Sequence, residues 1–309
     1  MCRSNLQKAF FALAVCLAAL LAPNAFAQTQ DEDTARRFWP PNFRPPAAKP
    51  SKPKPVAIRY RRTSPALSET VAANDSVLGI TIWLVTPPAA NNPKEQEGER
   101  ILVPKTGKKT NLIAKRVEAS TKFSPGQKVR LSLEVPRSGF LYVIDREQYE
   151  DGSFSDPYLI YPLDPVADDN RVSKGRVIEI PKVGEDPYFE VQPLDTTGKS
   201  RQVAELLTVL VTPTPLKDLP KATRNAEGDY EPILLPRTQV EEWEKQWATQ
   251  VEQAELEGGA GQLYSSRELA AGTRKQRLTN ADPLPQTVFR VAAKPGRPLL
   301  VKLPLNVGK

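Results

Sequence analysis

The chain has 309 residues and no histidine, and its two cysteines, Cys2 and Cys16, fall in the first sixteen positions. Serine triads, Cys–His dyads and zinc sites built from His or Cys therefore lack material in the rest of the sequence. Carboxylates are the groups that still occur in clusters. Asp145, Glu147, Glu150 and Asp151 gather in IDREQYEDGSFSD, and Asp164, Asp168 and Asp169 in LDPVADDN. If the two segments converge, oxygen ligands such as Asp145, Glu147 and Asp151 could bind calcium, or an acid and a base could flank a glycosidic bond. Against this, Asp151-Gly152 is a turn signal, and the spacing does not follow the D-x-D-x-D-G calcium loop. A Ser-x-x-Lys motif at 51–54 is flanked and interrupted by prolines, which oppose the helical turn that its chemistry needs. The glycines at 258, 259 and 261 follow a predicted acidic helix instead of a strand, so they read as a helix stop and not as a phosphate loop. The expectation is a non-enzymatic protein without a cofactor.

Net charge is +7, with an isoelectric point near 9.3. Its distribution matters more than its size. Residues 1–27 carry +2, residues 28–62 carry +6, and the remainder is −1. The basic character thus belongs to the proline-rich run FWPPNFRPPAAKPSKPKPVAIRYRR, which has almost no aliphatic side chains with which to build a core. Such a run serves as an extended spacer or as an electrostatic contact with an anionic polymer or lipid surface, with Arg59, Arg61 and Arg62 as binding candidates. Tyr142, Tyr149, Phe154, Tyr158 and Tyr161 fall within twenty residues. An aromatic strip of this kind can form a sugar or peptide platform, with Tyr149 as the candidate, or fill a sandwich core, the role expected of Phe140 and Tyr142.

Residues 1–27, MCRSNLQKAFFALAVCLAALLAPNAFA, read as a secretory signal peptide. Arg3 and Lys8 precede a short apolar run, and Ala25-Phe26-Ala27 supplies a small-x-small cleavage site. Export makes intracellular nucleic acid an unexpected partner, and no later stretch is long and apolar enough to predict a transmembrane helix.

Beyond residue 76 the pattern turns to period two. LGITIWLV, VRLSLEV, FLYVID, PYLIYP, GRVIEIP, PYFEV and ELLTVLVTP are strand candidates separated by Asp, Asn, Gly and Pro clusters. About seven strands in about 140 residues predict an immunoglobulin-like β-sandwich. Farther on, Thr238-Gln239-Val240-Glu241 is a capping box. Val240, Trp243, Trp247, Val251 and Ala254 predict one helical stripe ending at Gly258-Gly259, with the tryptophans docking the helix. Ser265 to Glu268 repeats the capping pattern. TVFRVAAKPGRPLLVKLPL predicts a hairpin turning at Lys294-Pro295-Gly296-Arg297. The expected organisation is a signal peptide (1–27), a basic Pro-rich linker (28–75), a β-sandwich (76–217) and a C-terminal α+β extension of two helices and a β-hairpin (218–309).

At RSGFLYVIDREQYEDGSFSDPYLIYP, then DNRVSKGRVIEIP, PYFEV and ELLTVLVTP, the sequence resembles the bacterial domain-of-unknown-function family 4384 over about residues 78–216. The marks are Gly139 to Val143, Asp151-Gly152, Tyr161-Pro162, Asn170-Arg171-Val172, Ile180-Pro181 and an apolar run at 206–211. The resemblance implies a sandwich module of exported or envelope-associated proteins and brings no catalytic residues. The expected role is a periplasmic or envelope interaction module for a protein or anionic polymer, and the competing role is a carboxylate-based or calcium-dependent hydrolase of envelope glycans.

Overall fold

The computed structural model describes residues 59–65, 67, 75–102, 107–165, 170–181, 187–192, 200–226, 228–273 and 277–308. The expected signal peptide, the linker as far as residue 58, the Ser-x-x-Lys motif, Asp168 and Asp169 lie outside the described residues.

The first half of the chain supplies β1 (Tyr60–Arg62), β2 (Ser76–Thr86), α1 (Pro93–Gln96), β3 (Ile113–Val117), β4 (Lys122–Phe123), β5 (Lys128–Glu134) and β6 (Gly139–Tyr149). There follow β7 (Tyr158–Tyr161), β8 (Arg171–Val172), β9 (Val177–Ile180), β10 (Phe189–Glu190), β11 (Gln202–Thr212) and β12 (Ile233–Leu234). The last part holds α2 (Arg237–Trp247), β13 (Val251–Leu256), α3 (Ser266–Thr273), β14 (Thr287–Val291) and β15 (Leu299–Val307). The strands form two sheets, a β-sandwich with a small helical part. One sheet runs β1-β13-β14-β2-β5-β10, with β3 beside β2 and β9 beside β5. The other runs β12-β7-β6-β11-β15-β4, with β8 beside β6. Pairing is antiparallel except between β15 and β4.

Alternation decides which residues meet between the sheets. Leu78, Ile80 and Ile82 of β2 and Leu131 and Leu133 of β5 face Leu141 and Val143 of β6, Val209 and Val211 of β11, and Val301 and Leu303 of β15 in one core. Each such side chain stabilises the fold by about 1.5–3 kcal/mol on burial. The alternate positions Tyr142, Ile144, Leu159 and Leu210 point outward, where Val240, Trp243 and Trp247 of α2 cover them. The two tryptophan rings stack 5.8 Å apart, so the expected docking helix is present. Gly139 lets β6 approach β11, since a Cβ there would lie 2.4 Å from the Thr212 carbonyl oxygen.

Three local expectations take a different form. The helix expected from Thr238 up to the Gly258-Gly259 stop ends at Trp247, and strand β13 takes the place of its second half. Glu252 and Glu255 are buried there because Arg62 and Arg290 pair with the first, while Gln286 and Thr287 hydrogen-bond the second. The capping box at Thr238 is not used. Pro236 occupies the cap position and makes no side-chain cap bond. The terminal pair of strands is not a hairpin either. The turn forms, with Arg297 N–H donating to the Lys294 carbonyl at 3.2 Å and Gly296 at φ 73°. It carries the chain from one sheet to the other, because β14 pairs with β13 and β2 whereas β15 pairs with β11 and β4. Residues 60–62, expected within the linker, form an edge strand against β13.

Candidate functional site

The inner face of β6 changes character along its length. Leu141 and Val143 are apolar core residues, and the next positions of the same parity are Asp145, Glu147 and Tyr149. The neighbouring β11 does the same in reverse, with Glu205 preceding Leu207, Val209 and Val211. The register sets Glu147 directly opposite Glu205, and Asp145 opposite Leu207. Three half-buried carboxyls therefore meet at one end of the core, a placement that like charges resist unless protons or cations intervene.

Protons do intervene within the cluster. Burial, then the charge of Glu147, raises Asp145 to about 7. Burial and the Asp145 charge raise Glu205 to about 8. Protonated Glu205 donates a hydrogen bond to Asp145, so the pair shares a proton around neutrality. Gln202 Nε2 donates to Glu205 Oε1 at 2.7 Å, and the Tyr149 hydroxyl donates to Glu147 Oε2. Two buried acceptors remain without a donor, Asp145 Oδ1 and Gln202 Oε1.

The donor set is all oxygen. A directly hydrogen-bonded carboxyl pair is closer than the roughly 5 Å of a retaining glycosidase pair, which leaves no room for a sugar carbon between its members. Among the described residues no group of three or more His, Cys, Asp or Glu side chains is placed to hold a metal ion. Asp151 is not brought to the cluster. It sits at the exposed turn after β6, where its carboxylate accepts from the Ser153 amide at 3.0 Å and hydroxyl at 2.6 Å. Those bonds hold its pKa below the usual carboxylate value. Glu150, also exposed, pairs with Arg201, and Asp164 accepts from the Tyr230 hydroxyl at 2.8 Å.

The basic candidates lie on another part of the molecule. Arg59 is exposed, and its carbonyl accepts from the Glu257 amide at 2.9 Å. Arg61 makes an exposed pair with Glu118 at 3.2 Å. Arg62 is committed to Glu252, whose side chain is 0 % exposed and lies 3.4 Å from Arg290. Tyr60 is buried beside them and donates its hydroxyl to the Pro285 carbonyl at 2.8 Å.

A second polar region covers the outer face of the first sheet. Arg116, buried, bonds the Leu284 carbonyl at 2.7 Å and Glu268 of α3 at 2.6 Å, and its guanidinium lies 5.2 Å from the Trp83 ring. Trp83 Nε1 donates to Ser132 at 2.8 Å, and Tyr264 donates to Glu179 at 2.7 Å. The cavity among Trp83, Arg116, Glu134 and Pro285 measures about 30 Å³, room for little more than a water molecule. These contacts fix α3 to the sheet.

Sequence reasoning found Asp145 and Glu147 but missed Glu205 and Gln202. The signal for Glu205 was its parity, since it shares the inward phase of Leu207, Val209 and Val211. No family model, curated protein or solved structure matches this chain.

Proposed function

We propose that the protein is an exported, non-catalytic module of a bacterial envelope, in which the sandwich binds protein or polymer partners and the basic Pro-rich segment touches an anionic surface. The observation that carries this reading is the anchorage of that segment. Its C-terminal end, Tyr60–Arg62, is built into the sheet as edge strand β1, with Tyr60 bonded to Pro285 and Arg62 to the wholly buried Glu252. A tether must transmit load to the body it holds, and a ladder strand with a buried ion pair does so. The signal-peptide pattern of residues 1–27 and the likeness of residues 78–216 to family 4384 point the same way. The hydrogen bond between Asp145 and Glu205 favours a binding role over hydrolysis, because neither carboxyl stands apart to act as separate acid and base.

The test is cosedimentation of the chain from residue 28, and of a version lacking 28–58, with phosphatidylglycerol vesicles at 50 and 500 mM salt. Each Lys or Arg near such a surface contributes about 1 kcal/mol, and the effect falls off within a Debye length of about 10 Å at 0.1 M. The longer protein should pellet at low salt and be released at high salt, while the shorter one stays in solution. Equal behaviour of the two would refute the tether.

A further inference from the structure

The carboxyl cluster continues into an apolar surface. One row of residues crosses the second sheet on its inner side: Leu234 of β12 opposite Tyr158 of β7, Tyr158 opposite Asp145 of β6, Asp145 opposite Leu207 of β11, and Leu207 opposite Leu303 of β15. Exposure rises along it from Leu303 and Leu207, both buried, through half-buried Asp145 to Tyr158 at 41 % and Leu234 at 52 %. Those last two are the large apolar side chains most open to solvent among the described residues. Their outward neighbours in the same strands, Leu159 and Ile233, are packed under α2, so the exposed pair belongs to the inner face and not to the helix-covered one. The sandwich is thus open at this corner, with an apolar wall beside a floor of three carboxyls.

From this arrangement we infer that the corner is a docking surface for an extended segment of a partner protein that presents a basic side chain next to an apolar one. The inference rests on the reading of the sandwich as an interaction module and names the kind of partner. Charge complementarity supports it. Among the described residues no Lys or Arg is ion-paired with Asp145, Glu147 or Glu205. The two unpartnered acceptors strengthen it, since Gln202 is only 2 % exposed and its amide is held at the cluster by its bond to Glu205. An ammonium group offers three donors to such a set. Adjacent strands are about 5 Å apart, which places Leu234 about 10 Å from Asp145. A lysine stem lying along Tyr158 brings its head to the carboxyls while an apolar neighbour covers Leu234. A bare divalent ion would leave that apolar wall unused.

The probe is an acetylated and amidated pentapeptide, Ala-Leu-Lys-Leu-Ala, titrated calorimetrically into the chain from residue 28, with a counterpart carrying Glu in place of Lys. The Lys peptide should bind and the Glu peptide should not. Binding should weaken about tenfold in D145N/E205Q and severalfold in L234S, each with an unchanged circular dichroism spectrum. If the double variant does not fold, E205Q alone is held to the same criterion. Equal binding of the two peptides, or parental affinity in the carboxyl variants, would overturn the proposal. Tighter peptide binding after removal of 28–58 would overturn it as well, by making this chain's own basic segment the occupant. Failure of the tether changes vesicle binding and leaves this titration intact, so the two readings fail separately.

Discussion

Neutralising the carboxyl pair should flatten the dependence of stability on alkaline pH. In the folded state Asp145 holds its proton to about 7 and Glu205 to about 8, whereas the unfolded chain releases both near 4. The folded state therefore binds more protons between those limits, and stability falls as pH rises. The contribution is complete below about pH 4, falls progressively above it, and is gone once pH has passed through 7 to 8. Ionising Asp145 alone in a dry site would cost about 4 kcal/mol. Both carboxyls are half-buried, and water at the open corner screens them, which brings the pair to about 2 kcal/mol. For a domain of this size that is a fall in Tm of about 4–8 °C. Thermal melts by circular dichroism at about pH 4.5 and pH 9, at fixed ionic strength, span the whole window and provide the comparison. The parent should lose that much more between the two pH values than D145N/E205Q does. Asp75 and Glu255, which burial also raises, contribute equally to both proteins and cancel. Parallel profiles would refute the argument that the two carboxyls share a proton.

Other substitutions probe the frame. Arg290 serves both Asp75 and Glu252, so R290M leaves two buried carboxylates short of a cation and should cost about 3–5 kcal/mol in urea unfolding. The exposed pair at Arg61 gives the contrast, and R61A should shift the same curve by less than about 0.5 kcal/mol. G139A drives a methyl against the Thr212 carbonyl and should destabilise by about 2–3 kcal/mol. G152A, at φ 82° with nothing within 4 Å, pays only the backbone term of about 1 kcal/mol.

What the sequence discloses divides along a physical line. Strands such as LGITIWLV are legible because Leu78, Ile80 and Ile82, which face the core between the sheets, recur with period two within eight residues, although Trp83 and Val85 on the other face are buried as well. The capping box at Ser265 is legible for the same reason, since Ser265 and Glu268 exchange hydrogen bonds over three residues. Residues 251–256 were not legible. Val251 and Ala254 continue the helical spacing of Val240, Trp243 and Trp247, and two glutamates there look like a solvated face. They are buried because their partners come from residues 62, 286, 287 and 290, which no local window contains. The candidate site shows the same limit. Asp145 was visible as an acid, but that Glu205 is the acid beside it depends on the register of two strands sixty residues apart in sequence.

The order of strands in the first sheet also constrains how the molecule can be made. β2, near the start of the described chain, has β14 as a neighbour, and β1 has β13, so partners are separated by about two hundred residues. Non-local pairing of this kind makes closure late and slow. A ribosome delivers the N-terminal strands first, and although β3 can pair with residues 82–86 of β2, residues 76–80 on that flank have nothing to pair with until residues 287–291 emerge. The first sheet thus stays incomplete until almost all of the polypeptide has been synthesised.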